Sequence, residues 1–211
     1  MKRFFESFKT VLKFSIVVFI LCGFIYPLSM TGMAQIIFPS QSNGSIIYRD
    51  SEMIGSELIG QEFTDLRFMQ CRPSAVNYNT YTLKEKKNGE YSGIATGSNN
   101  YAPTNIKLKE RVQSDLKLFL NENPNVTIDK IPADLLTASG SGLDPHISPQ
   151  SAYIQIDRIV KNTGISENDI IKIIEDNTKS KFMGVFGEET VNVLGVNIEI
   201  ANVLDKISDD H

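Results

Sequence analysis

The chain has 211 residues, 41% of them hydrophobic and 22% charged, with 21 Lys/Arg against 25 Asp/Glu and only two cysteines. That length and composition suit a compact domain and exclude both a disordered chain and a disulfide-stapled scaffold. Residues 1–13 hold Lys2, Arg3, Lys9 and Lys13 against Glu6 alone, while the remainder holds 17 basic against 24 acidic residues, which excludes the basic footprint of a nucleic-acid binder.

Phe14 to Phe38 reads FSIVVFILCGFIYPLSMTGMAQIIF and carries no charge. As a helix it reaches about 37 Å, more than the ~30 Å hydrocarbon core of a bilayer. It reads as a retained anchor rather than a cleaved signal peptide, because its apolar run exceeds a signal h-region. Leu21 before Cys22 also fails the pattern of a lipoprotein signal. The basic flank sets the orientation by the positive-inside rule. Expected are a cytoplasmic segment 1–13, a transmembrane helix 14–38 and an extracytoplasmic α+β domain 39–211. Cys22 then lies in the membrane and Cys71 outside, so no disulfide is expected. The cysteines and histidines lack zinc-ligand spacing.

Beyond the anchor, Pro39 to Ser45 is a polar exit loop with an Asn43-Gly44 turn. Ser45 to Tyr48 (SIIY) reads as a strand. Ser51 to Ile59 reads as a short helix, with Ile54, Leu58 and Ile59 at helical spacing and a stop at Gly60. Residues 84–105 are the most loop-like part. Lys84 to Glu90 is a solvated run, and Pro103-Thr104-Asn105 caps the next helix. That helix covers about Ile106 to Asn121, with Leu108, Val112, Leu116 and Phe119 on one face. A Gly/Ser turn follows Ala138. Ser148 caps a helix that has Pro149 at its first position and a face of Tyr153, Ile156, Ile159 and Val160. Gly164 stops it, and Ser166 caps another with Ile170, Ile173 and Ile174 inward. Val191 to Ile200 reads as a strand with a bulge at Gly195.

The densest set of reactive side chains is Thr137-Ala-Ser-Gly-Ser-Gly-Leu-Asp-Pro-His-Ile-Ser-Pro149. A nucleophilic triad converges from separate elements, whereas these residues share one loop, so a turn held by side-chain-to-backbone hydrogen bonds is expected. Gly140 and Gly142 are expected to supply backbone angles other residues avoid. Ser139, Asp144 and His146 are expected to be structural, with Asp144 accepting backbone hydrogen bonds and Pro145 fixing direction. Gly140-Ser-Gly142 lacks the Gly-Lys-Ser/Thr of a phosphate loop. The helices about Gly164 mimic a helix-turn-helix, but Glu167, Asp169, Glu175 and Asp176 make the second one acidic, so a packed hairpin is expected. In the anchor, Gly23, Pro27, Thr31 and Ala34 fall on one stripe and Leu21, Ile25 and Leu28 on the opposite side. The small-residue stripe is the expected docking face, since close backbone approach drives helix association in lipid.

Several blocks together resemble a known family. They are Ile25-Tyr-Pro-Leu28, Thr31-Gly-Met-Ala-Gln-Ile-Ile-Phe-Pro39, Gln41-Ser-Asn-Gly-Ser45, Gly55-Ser-Glu-Leu-Ile-Gly-Gln61, Arg72-Pro-Ser74, the 137–149 block, Gly184-Val-Phe-Gly-Glu188 and Val191-Asn-Val-Leu194. The chain is similar to the C subunit of the Kdp-type potassium-transporting P-type ATPase of bacteria. It departs from that pattern at Met69-Gln-Cys71 and at Gly97-Ser-Asn-Asn-Tyr-Ala102. The resemblance implies a non-catalytic auxiliary subunit of an ATP-driven potassium uptake complex in the cell (inner) membrane. Its implied partners are a potassium-binding channel-like subunit, a P-type ATP-hydrolysing subunit and a very small membrane subunit. It implies that ATP and potassium belong to the complex, with no cofactor or metal bound by this chain. It also implies a role in assembly and as a catalytic chaperone that raises the ATP affinity of the hydrolysing subunit. The competing class is a stand-alone binding or enzymatic domain on a membrane tether, separable by the neighbouring genes.

Overall fold

The computed structural model describes residues 2–49, 51–90 and 93–209. The chain divides into two units, Met1–Ile54 and Gly55–His211.

The first unit is led by helix α1 (Lys2–Ile20), a π-helical turn (Leu21–Ile25) and helix α2 (Tyr26–Ile37). Together Arg3–Ile37 form a helix long and apolar enough to cross a membrane. The π turn follows from Pro27. Its ring carries no N–H and would strike the carbonyl four residues back, so the preceding turn widens. Tyr26 N–H accordingly donates to the Leu21 carbonyl, five residues back. A four-residue helix α3 (Pro39–Ser42) then turns the chain into strand β1 (Ile46–Arg49), which pairs with β2 (Glu52–Ser56). A strand thus stands where the spacing of Ile54, Leu58 and Ile59 predicts a helix. Leu58 and Ile59 are exposed, so that periodicity marks no buried face.

The second unit contains helices α4 (Leu83–Asn88), α5 (Ile106–Glu122), α6 (Pro149–Tyr153), α7 (Ile156–Thr163), α8 (Glu167–Asp176) and α9 (Val193–Asp209). Its sheet has strands β3 (His146–Ile147), β4 (Thr178–Lys179) and β5 (Thr190–Asn192) in the order β3-β5-β4. The pairing is antiparallel, with Ile147 and Thr178 both opposite Val191. The core joins Ile147 and Val191 to Ile156, Ile159, Ile170, Ile173, Ile174, Val196 and Ile200. Caps fall where the sequence places them. Asn105 Oδ1 accepts from Lys107 N–H at 2.9 Å, Ser148 Oγ from Ser151 N–H at 3.2 Å and Ser166 Oγ from Asp169 N–H at 3.2 Å. Gly164 closes α7 in the left-handed region at φ 75°. The α7–α8 pair is a packed hairpin.

Three expectations need correction. Lys84 to Glu90 is solvated but largely helical. α4 carries a capping box in which Thr82 and Glu85 satisfy each other's backbone N–H. The helix expected after Ser148 is two helices, α6 and α7, and Tyr153 lies outside the core. The largest correction is Val191 to Ile200, which is a strand only through Asn192. β-branched residues favour a strand locally, yet Val193, Val196 and Ile200 recur at helical spacing and are at most 1% exposed. Asn192 Oδ1 accepts from Gly195 N–H at 2.9 Å, as an N-cap does. Gly195 is no bulge. A Cβ there would lie 2.1 Å from Asn177 Oδ1.

A loop cluster as the candidate functional site

Three loops of the second unit, residues 72–80, 93–98 and 139–146, are tied together by polar side chains. Ser74 Oγ donates to the Gly142 carbonyl at 2.6 Å and accepts from the N–H groups of Val76 and Tyr78. The Ser141 carbonyl accepts from Gly97 N–H and from the Thr96 hydroxyl. Asn79 imitates a strand neighbour. Its carboxamide accepts from Ala95 N–H at 2.9 Å and donates to the Ala95 carbonyl at 3.0 Å. Gly142 must be glycine on two counts, since its φ is 69° and a Cβ would lie 2.8 Å from the Gly97 carbonyl oxygen. Gly140, expected to need the same freedom, has neither a positive φ nor a close neighbour.

Asn77, Tyr78 and Asn79 form a left-handed turn with φ of 49°, 48° and 56°. Asparagine tolerates that region, but tyrosine does so only when held. Tyr78 is held by its hydroxyl, which donates to the Arg72 carbonyl at 2.5 Å, and by its N–H on Ser74. Burial pushes both the Tyr78 phenol and the neighbouring Cys71 thiol up from their ordinary values. Cys71 is thus a poor nucleophile.

Asp144 sits at the junction. One oxygen pairs with Arg72 Nη1 at 3.1 Å, and the other accepts from His146 N–H at 3.0 Å with His146 Nδ1 3.5 Å away. The hydrogen bond from the His146 side chain, assisted by that backbone N–H and by Arg72, holds the Asp144 carboxyl below its ordinary value against partial burial. The Pro145 carbonyl accepts from Val193 N–H, joining the loop to the start of α9. The serine hydroxyls are engaged locally. Ser139 Oγ accepts from Gly142 N–H, Ser141 Oγ from Leu143 N–H, and Ser148 Oγ bonds Asp134 and Ser151. Among the described residues no serine hydroxyl is hydrogen-bonded to the His146 ring, and no group of three His, Cys, Asp or Glu side chains could hold a metal ion.

Beneath the loops lies a buried polar spine. Arg158, 3% exposed, donates to the carbonyls of Leu66 and Phe68, to Asn123 Oδ1 and to Gln155 Oε1. Burial lowers its pKa to about 10, so it remains charged at neutral pH. Gln155 accepts from Gln70 N–H and donates to the Gln70 carbonyl. Asn197 clamps both polar backbone groups of Met69. A cavity of about 310 Å³ opens beside this spine, with Gln70, Arg72, Tyr78, Asp115 and Glu122 among its walls. Its polar groups carry both signs, and its carboxylates give it no anion-binding character.

The structure thus brings Ser139, Gly142, Asp144, Pro145 and His146 into one cluster with Arg72, Ser74 and Tyr78. The anchor residues lie in the first unit. Gly23 is inside the π turn, Pro27 is the second residue of α2, and Thr31 and Ala34 follow on it. Sequence reasoning missed Tyr78, Gln155, Arg158 and Asn197. The last three interrupt apolar helical faces, which was the available signal.

Among the described residues, the fold combines one helix long and apolar enough to cross a membrane with one α+β domain that carries a polar loop cluster. The family model described as K+-transporting ATPase, c chain, matches residues 8–202. The Potassium-transporting ATPase KdpC subunit of Clostridium kluyveri is 54% identical over 204 residues, covering 97% of both chains. That of Clostridioides difficile is 51% identical over 96% of this chain and 100% of its own. That of Caldanaerobacter subterraneus is 43% identical over 95% of this chain and 97% of its own. The chain belongs to this family.

Proposed function

We propose that the chain is a non-catalytic auxiliary subunit of an ATP-driven potassium pump. In this reading it crosses the cell membrane once through residues 14–38 and stabilises the assembled complex through its outer domain. Its partners are a potassium-binding channel-like subunit, a P-type ATP-hydrolysing subunit and a very small membrane subunit. The observation that carries the non-catalytic role is the loop cluster itself. Its serines and Asp144 are engaged within the loops, and the half-buried Cys71 thiol donates to the Asp144 carbonyl. That arrangement supports Ser139, Gly142, Asp144, Pro145 and His146 as shape-holding residues.

The basic residues before Phe14 support a cytoplasmic N-terminus with residues 39–211 outside. ATP is then on the opposite side from the domain. Any effect on ATP affinity passes through the membrane, by contacts that differ between two transport states. In the anchor, Gly23, Pro27 and Thr31 are exposed, and small residues allow close helix approach in lipid, which supports the Gly23, Pro27, Thr31 and Ala34 stripe as a docking face. The test is affinity purification of the ATP-hydrolysing subunit from cells with and without this chain. Loss of the other subunits in its absence is expected. A complete, active remainder would contradict the proposal.

A further inference from the structure

The loop between β4 and β5 ends in an apolar tip that nothing in the second unit covers. Phe182, Met183, Val185 and Phe186 are 72%, 79%, 75% and 65% exposed. Four large apolar side chains exposed side by side on one short loop mark a contact surface. Four backbone N–H groups of the tip are paired within it. Phe182 N–H donates to the Phe186 carbonyl at 2.8 Å, and Phe186 and Val185 N–H groups both return to the Phe182 carbonyl. Gly184 N–H donates to the Lys181 carbonyl at 3.0 Å, and the left-handed Met183 and Gly184 make the turn compact. The flanks carry Lys179 and Lys181 on one side and Glu188 and Glu189 on the other, so they cancel.

We propose that this tip inserts its four apolar side chains into the interfacial layer of the lipid bilayer to which the same chain is anchored. Lipid supplies no hydrogen-bond partners, so a backbone that enters it has to satisfy itself. The tip does so for the N–H groups of Phe182, Gly184, Val185 and Phe186 within one turn. A protruding set of two phenylalanines, a methionine and a valine needs no matching pocket in a fluid interface, and phenylalanine suits its acyl boundary. Because the flanking charges cancel, insertion depends on apolar burial and not on anionic headgroups. The inference rests on the anchor reading, because the anchor keeps the domain at a membrane; it is independent of which side the domain occupies.

The chain contains no tryptophan, so Phe186→Trp in the full-length chain reports the tip alone. In vesicles of neutral phosphatidylcholine its emission is expected to be blue-shifted, quenched by lipid brominated near the glycerol end of the acyl chains, and protected from iodide. Phe24→Trp reports the anchor, and Leu118→Trp, exposed on α5, reports water. A tip tryptophan that behaves like Leu118→Trp while Phe24→Trp is quenched by bromine overturns the inference and leaves the anchor standing. Escape of Phe24→Trp from bromine removes the anchor and the inference together. Loss of the other subunits on purification of a Phe182→Asp/Phe186→Asp double variant, together with an iodide-accessible tryptophan in the Phe186→Trp chain, assigns the tip to a protein partner and overturns the lipid reading.

Discussion

The helical part of the domain, residues 148–209, and its loop layer, residues 57–90, 93–105 and 131–147, are held together differently. The helical part closes by apolar packing. Ile159, Ile170, Ile174, Val196 and Ile200 are wholly buried. The loop layer contributes few such residues and closes by side chains on backbone, as with Ser74 on Gly142, Asn79 on Ala95 and Asp144 on His146. Packing is tolerant of shape, whereas hydrogen bonds from fixed side chains specify it. The helical part thus supplies stability, and the loop layer presents a defined surface on top of it.

The largest effect is expected where the two layers meet. Arg158→Ala leaves the Leu66 and Phe68 carbonyls and Asn123 Oδ1 without this donor, and Gln155 Oε1 with Gln70 N–H alone. A loss on the order of 3–5 kcal/mol is expected, read as a lower denaturant midpoint. A loss no greater than that of an exposed substitution would mean that the layers are not joined there. Next, Gly142→Ala forces a Cβ against the Gly97 carbonyl in a left-handed conformation. About 1–3 kcal/mol is expected, with proteolysis of residues 93–98 rising before global unfolding. Gly140→Ala, which meets nothing within 4 Å, is expected to be silent, and the pair sharpens which glycine matters.

A smaller effect is expected from pH. The Asp144 carboxyl has its pKa lowered by His146 and Arg72. Its stabilisation is therefore present above the ordinary carboxylate range and is lost as pH falls through the lowered folded value. Thermal melts of the full chain should lose an acid-sensitive component in Asp144→Asn. An identical acid profile in that variant would contradict the assignment. The smallest effect is expected at Lys84→Ala on the exposed α4, within about 0.5 kcal/mol of zero.

Legibility in the sequence follows the same division. The helices around Ile159 and Ile170 were readable because caps, glycine stops and apolar spacing are local signals. Asn105, Ser148, Gly164 and Ser166 all act within a few residues of themselves. α9 was misread because Val191, Val193, Ile198 and Ile200 favour a strand locally, while its helix depends on packing and on the cap at Asn192. Asp144 was recognisable as an acceptor inside its own turn. Its ion pair with Arg72, 72 positions earlier, was not, because no local pattern encodes it. Arg158 was least legible of all, since the carbonyls it holds, at Leu66 and Phe68, lie about 90 positions away.

The central claim is that the loop cluster gives the subunit its shape and performs no chemistry. It is tested most directly by His146→Ala in the complete potassium-pump complex, measuring recovered complex and ATPase activity per recovered complex on the same preparation. The account predicts reduced recovery with unchanged activity per complex. Full recovery of a stable complex whose ATPase is abolished would contradict it.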